Sequence, residues 1–288
     1  MATFRGLQVL VLLTAITGLS FSSAQAADAP FIVVQSTTST QNSGLLDAIL
    51  PTFTEKSGID VRVVAVGTGQ AIRNARNGDG DVLLVHARSS EEQFVNDGWG
   101  LERFDVMYND FVLIGPADDP AGIAGGQDVV KALKVIASGK SGFASRGDDS
   151  GTHKTELTLW KAAGIDVHAA SGRWYRETGS GMGATLNVGI GMGAYVLTDR
   201  ATWIAFGNKG NYKVVVEGDD RLFNQYGVIL VDPSRHANVK ADHGQAFIDW
   251  LISDAGQRAI ASYQIDDQQL FFPNASPPAA DNQTSTQQ

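Results

Sequence analysis

The stretch VMYNDFVLIGP (106–116) reads as one long strand. Tyr108 and Phe111 bracket the polar pair Asn109–Asp110, an apolar run follows, and Pro116 ends it. The same design returns in LFNQYGVILVDP (222–233), where Phe223 and Tyr226 bracket Asn224–Gln225 and Pro233 closes the run. Aromatic and β-branched residues fit a pleated, half-buried surface, and proline cannot continue a central strand. Two such strands, far apart in the chain, would join two lobes and leave a hinged cleft; the competing reading is two unrelated core strands. On the hinged reading, residues 27–113 and 222–272 form a discontinuous first lobe and residues 114–221 a second.

Shorter strand-like runs lie at FIVVQ (31–35), VRVVAV (61–66), DVLLVH (81–86), GFAS (142–145) and YKVVVE (212–217). Helical spacing links Leu45, Leu46, Ile49, Leu50 and Phe53, with Gly58 as the stop and Pro51 expected to bend the helix or shift its register. Val129, Val130, Leu133 and Ile136 mark another helix, Leu157 and Trp160 a third ended by Gly164, and Phe247, Trp250 and Leu251 a late one. Ser89 and Glu92 have the spacing of a capping box. This alternation predicts α/β lobes with mainly parallel sheets. The polar, proline-rich segment 273–288 predicts a disordered tail.

Charge narrows the function. The chain has 288 residues, with 22 basic against 31 acidic side chains. Residues 1–26 carry Arg5 as their only charge, an apolar run over 7–19 and a terminal AQA, which predicts a cleaved signal peptide and an exported protein. An acidic chain without basic clusters is unsuited to nucleic acid. The absence of cysteine excludes thiolate metal sites and cysteine nucleophiles. An anionic ligand would have to be held by short-range donors against an unfavourable long-range field.

Four segments share a plan in which an apolar strand runs into a loop of Gly, Ser and Thr and then into a helix. They are FIVVQ-STTSTQNSG (31–44), VRVVAV-GTG (61–69), GFA-SRGDDSGTH (142–153) and YRETGSGMGATL (175–186). Each aims helix N–H groups outward from the end of a strand, where a small anion can approach. Arg146 adds a charge-assisted contact, and the combination suits a fully ionised oxyanion. Plain helix caps are the ordinary alternative, with one of Ser39, Asn42 and Ser43 as the cap, and Arg146 paired with Asp148 or Asp149.

Rival motifs are weaker. GTGQAI (67–72) lacks the last glycine of a dinucleotide fingerprint, and GSGMGA (179–184) has the wrong spacing. Ser150 and His153 stand close in sequence without a nucleophile elbow, so an esterase triad is only an out-of-class alternative. Asp232, His236 and His243 read as a solvated helix surface rather than a metal site.

The blocks VVQSTTSTQNSGLLDAILPTF, VRVVAVGTGQAI, GDVLLVHA, VMYNDFVLIGPADDPAGI, SRGDDSGTHKTELTLWKAAGI, WYRETGSGMGATL, AYVLTDRATW and EGDDRLFNQYGVILVDP together resemble the periplasmic tungstate-binding proteins of bacterial ABC importers, within the type II periplasmic solute-binding family. The resemblance covers residues 31–265 in order. It implies two α/β lobes, two crossing hinge strands and an oxyanion, tungstate or a relative such as molybdate or phosphate, in the interlobe cleft. The family's TTTS loop falls on Ser36, Thr37, Thr38 and Ser39, with Ser36 in place of the first threonine. The remaining implied ligand-binding positions are Thr68, Gly69, Arg146, Ser150, Gly151 and Thr152, with Asp148 and Asp149 turned away or capping their own loop. No catalytic residue, cofactor or metal is implied. The implied partner is the membrane permease of an ABC importer, met in the periplasm by a monomer. NVGIGMGAY (187–195) is richer in glycine than the resemblance leads one to expect, which leaves the end of its helix open.

Overall fold

The computed structural model describes residues 29–275, so the predicted signal peptide and most of the predicted tail lie outside the described residues. The chain begins with β1 (Phe31–Thr37), the short α1 (Thr38–Asn42), α2 (Leu45–Ser57), β2 (Asp60–Val66), α3 (Thr68–Arg76), β3 (Val82–Val85) and α4 (Arg88–Asn96). β4 (Gly100–Pro116) follows, then α5 (Val129–Gly139), β5 (Phe143–Ser145), α6 (Gly151–Ala162), β6 (Tyr175–Glu177), α7 (Met182–Gly191), β7 (Val196–Asp199), α8 (Arg200–Ala205) and β8 (Tyr212–Val216). The chain returns in β9 (Phe223–Val231), α9 (Ala241–Ile252), α10 (Asp254–Ser262), a small hairpin of β10 (Gln264–Ile265) and β11 (Gln268–Gln269), and β12 (Phe272–Pro273).

The first sheet runs β12-β4-β9-β3-β1-β2. β1 pairs parallel with β2 and β3. The expectation of mainly parallel sheets needs correction, because β9 runs antiparallel to both β3 and β4, and β4 is antiparallel to β7, β8 and β12. The cause is connectivity: β9 returns from the far half of the molecule and enters the first sheet against the direction of β3. A mixed sheet with a few long return strands is the result.

β4 is longer than the sequence suggested. It starts at Gly100, pairs with β9 as far as Asp110, and continues as Phe111–Pro116 against β7 and β8. β9, by contrast, enters the ladder only at Phe223, opposite Asp110. One strand therefore passes through both sheets, and the second crosses at its start, where Asn224 Nδ2 donates to Asn109 Oδ1 at 2.7 Å.

Each half has its own apolar interior. The first buries Ile32, Val34, Leu46, Phe53, Val228, Phe247 and Leu251. The second buries Phe111, Leu133, Ile136, Phe143, Trp160 and Tyr175. Helix α8 bridges them, with Ala201 and Ile204 in the first cluster and Trp203 in a cluster with Val112 and Val196.

Several local expectations are modified. α2 is continuous through Pro51, where the carbonyl of Asp47 lacks its helical N–H partner. Gly58 (φ 72°) and Gly164 (φ 72°) end their helices in the left-handed conformation, as read from the sequence. The cap of α4 lies earlier than Ser89: Ala87 is the N-cap residue, and the buried Glu91 carboxylate accepts its amide hydrogen at 2.5 Å. α7 ends at Gly191, and Gly193 (φ 68°) turns the chain while Ala194 N donates to Gly189 O. Pro273 and Asn274, expected in the tail, are held: Pro273 pairs with Met107, and Asn274 Nδ2 donates to Gln225 Oε1 at 2.7 Å.

Candidate functional site

The four glycine- and hydroxyl-rich segments meet where the two halves face each other. β1 brings Ser36 and Thr37 to its C-terminal end, and the chain turns at once into α1. Thr37 is itself the cap: its backbone is extended (φ −109°, ψ 152°) and its Oγ1 accepts from Thr40 N at 3.2 Å. The cap expected among Ser39, Asn42 and Ser43 belongs to the apolar helix α2, and there the expectation is corrected, because the N-cap residue is Gly44 and no side chain caps it. A β-strand that ends in threonine supplies extended backbone and an acceptor oxygen together, which is what an N-cap requires. α2 is preceded by Gly44 (φ 77°), with only a long 3.4 Å contact from Leu45 N to Ser43 Oγ.

The Ser36 hydroxyl donates to Leu84 O at 2.8 Å and so ties β1 to β3. Thr38 is half-buried and Ser39 fully buried. Both accept from one guanidinium in the other half: Arg146 Nη1 donates to Ser39 Oγ at 3.2 Å and Nη2 to Thr38 Oγ1 at 3.3 Å. Thr202 Oγ1, at the start of α8, lies 3.4 Å from the Ser39 carbonyl that accepts its hydrogen.

A second crossing bond lies at α3. Its N-cap residue, Gly67, offers no side-chain oxygen, and the buried Thr68 Oγ1 accepts from Gly151 N at 2.9 Å. Gly69 and Gly151 permit this approach. A Cβ on Gly69 would meet the Asp149 carboxylate, and one on Gly151 would lie 3.1 Å from His86 O and 3.2 Å from Thr68 Oγ1.

In the β5–α6 segment, Arg146 is only 2 % exposed. Its Nη2 also contacts Asp148 Oδ2 at 2.6 Å, while Asp148 Oδ1 accepts from Ser150 N at 3.2 Å. Asp148 thus caps its own loop, as expected, and at the same time neutralises the arginine. Asp149 turns outward to Lys154 at 2.7 Å. Ser150 is the N-cap of α6, accepting from His153 N at 3.2 Å. His153 Nδ1 accepts the Asp149 amide hydrogen, so no imidazole–hydroxyl bond to Ser150 forms, and burial keeps this histidine below its ordinary pKa. Thr152 is 1 % exposed. Four buried polar atoms of this segment lack a partner, Arg146 Nε and Thr152 Oγ1 among them, with Ser145 Oγ and His153 Nε2. The fourth segment places the uncapped start of α7 beside α1, where a Cβ on Gly181 would lie 3.4 Å from Thr38 Oγ1.

Ser39, Thr68, Arg146 and the Ser150–Thr152 turn are therefore brought together, with Thr38 beside them, while Ser36 and Gly69 serve packing between backbone segments. Uncapped N-termini at α3 and α7 add oriented amide dipoles. The arrangement can hold a small, fully ionised anion by many donors and a single cation. The Ser150–His153 pair gives no imidazole–hydroxyl contact of the kind an esterase would need. Among the described residues no His, Asp and Glu cluster could hold a metal ion. Asp232 accepts from Ser234 N, and His236 bonds Arg76 O at 2.9 Å within a turn rather than on a helix.

Sequence reasoning passed over His86 and Thr40. His86 sits at the end of a plain apolar strand, and Thr40 looked like part of a polar loop; neither carries a motif.

Residues 22–255 match the family model described as a PBP superfamily domain. The chain belongs to the PBP superfamily. Among proteins similar to this PBP-superfamily chain is the tungstate-binding protein TupA of Peptoclostridium acidaminophilum, 47 % identical, with 85 % of this chain and 86 % of the relative covered. Of solved structures, the tungstate-binding protein TupA from Desulfovibrio alaskensis G20 is 46 % identical, covering 86 % of this chain and all of that one, with a TM-score of 0.73. A tungstate ABC transporter structure from Geobacter sulfurreducens is also 46 % identical, covers 81 % and 98 % of the two chains, and gives a TM-score of 0.74. Both superpositions agree with the two-lobed α/β fold.

Proposed function

We propose that this protein captures tungstate as a dianion between its lobes and delivers it to the membrane permease of an ABC importer. The observation that carries this reading is the junction where Arg146, only 2 % exposed, reaches across to Ser39 and leaves Nε unpartnered beside a segment whose Thr152 Oγ1 is unpartnered too. A buried donor without an acceptor costs about 1–3 kcal/mol, and an oxyanion would relieve both. Ser39, Thr68 and the amides at the starts of α3, α6 and α7 supply further short-range donors. Relatives near half identity that are named for tungstate specify the ion. The secretory character of residues 1–26 supports a periplasmic location.

Calorimetric titration of the mature protein with tungstate, molybdate, sulfate and phosphate tests the reading. Tight tungstate binding with much weaker phosphate binding is expected. A protein that ignores tungstate overturns the proposal. Phosphate is kept as a second reading on one observation: the Asp148 carboxylate lies on Arg146, where it could accept the proton that phosphate retains at neutral pH.

A further inference from the structure

The hydrogen-bonded chain that starts at Thr37 does not stop at the cleft. Thr37 Oγ1 lies 3.2 Å from His86 Nε2, and His86 Nδ1 lies 3.1 Å from Asn224 Oδ1. Asn224 in turn donates to Asn109, the partner opposite it on β4. The His86 ring stacks on Tyr226 of β9, with centroids 4.7 Å apart. On the other side it meets the second lobe, since its Cε1 lies 3.3 Å from where a Cβ on Gly151 would be. One buried side chain therefore touches the end of β1 and the crossing strand β9, reaches β4 through Asn224, and lies beside the first residue of α6.

The direction of these bonds follows from their ends. Asn224 uses its amide nitrogen on Asn109, so its oxygen faces His86 and must accept. His86 Nδ1 then carries the ring hydrogen, and Nε2 accepts from the Thr37 hydroxyl. Thr37 Oγ1 already accepts from Thr40 N, and Thr40 Oγ1 at 2.8 Å donates to it as well. Thr37 therefore has no hydroxyl hydrogen left for a ligand. Burial, aided by the charge of Arg146 and opposed by the Asn224 bond, lowers the His86 pKa to about 4, so the ring is neutral under ordinary conditions.

We infer that His86 is a positioning residue that couples the anion-holding wall to the hinge: it fixes Thr37 and the α1 turn behind Ser39, bears on the start of α6, and transmits the state of the cleft to the Asn224–Asn109 crossing. This deepens the proposed function and rests on that reading. It assigns Thr37 to holding the wall in place rather than to giving a hydroxyl hydrogen to the anion.

A double-mutant cycle on the mature protein decides the matter. His86→Phe keeps a ring to stack on Tyr226 and removes both hydrogen bonds. Asn224→Leu breaks the chain from the hinge side and leaves His86 in place. Tungstate dissociation constants come from calorimetry and release rates from stopped-flow fluorescence of the five tryptophans. Each single variant is expected to weaken binding about tenfold, mostly through faster release, and the double variant to be no weaker than the poorer single one. Losses that multiply, or a His86→Phe protein that holds tungstate as the wild type does, overturn the inference. If His86→Phe does not fold, the other arm still decides: unaltered release from Asn224→Leu overturns it alone. A wild type that binds none of the oxyanions overturns the functional reading itself, whereas normal wild-type binding with a flat cycle overturns only the role of His86.

Discussion

Arg146 and Ser39 stand 107 positions apart in sequence and on opposite lobes, yet the guanidinium donates to the serine hydroxyl at 3.2 Å. The pair ties the two lobes together at the cleft and places the arginine where an anion would be gripped. Arg146→Ala removes both the crossing bond and the charge-assisted contact. Tungstate affinity is expected to fall well beyond tenfold, more than about 1.4 kcal/mol, by calorimetry. Unchanged affinity would remove Arg146 from the site.

Asp148 holds the same guanidinium and also the Ser150 amide. Asp148→Asn keeps an oxygen for Ser150 N and removes a negative charge from beside the incoming dianion. Tungstate is expected to bind several-fold more tightly to the variant. If the site instead serves phosphate, the same change should weaken phosphate binding, because the acceptor for the ligand's proton is gone. Parallel titrations with the two ions separate the cases.

Glu156 is buried in the second lobe, where Oε1 accepts from Tyr175 at 2.7 Å and from Trp160 at 3.1 Å. Burial raises its pKa from 4.5 to about 7, against the lowering effect of these bonds. With the folded value above the unfolded one, the native state holds the extra proton. Its contribution to stability is complete below about pH 4.5 and is lost as pH rises to about 7. Glu156→Gln retains an oxygen for both donors and needs no proton. The variant should match the wild type near pH 5 and exceed it at pH 8, by on the order of 2 kcal/mol, in urea unfolding at the two pH values.

The glycines of α7 have opposite roles. A Cβ on Gly189 would collide with Val196 and lie 3.4 Å from Ala144, whereas nothing lies within 4 Å of one on Gly191. Gly189→Ala is expected to destabilise by about 1–3 kcal/mol through overpacking. Gly191→Ala should stabilise by about 0.5–1 kcal/mol, because alanine restricts the unfolded chain more than glycine does. Thermal unfolding of the two variants should therefore shift in opposite directions.

These glycines show what a single sequence conceals. The excess of glycine in 187–195 was visible, but the packing of Gly189 on β7 depends on a neighbour that only the fold supplies. The crossing strands were legible because their length and aromatic punctuation are local properties. The Gly, Ser and Thr loops at the helix starts were legible because helix starts have local chemistry. The use of each hydroxyl was not: Ser36 and Thr37 are adjacent and look alike, yet one ties down a neighbouring strand and the other caps a helix and faces a histidine. His86 was beyond reach for the same reason, since its partners Thr37, Asn224 and Tyr226 come from β1 and β9. The mainly parallel prediction failed because alternation of strands and helices does not reveal which strand returns from the other half of the molecule.

The passage of β4 through both sheets also bears on where the chain can be cut. Its first part gives backbone bonds to β9, and its last residues give them to β7 and β8. A protease cut or an expression boundary within Gly100–Pro116 would strip one sheet of a member whichever side it fell on. The two lobes thus share β4 as a common spine, and each owes part of its sheet to the same strand.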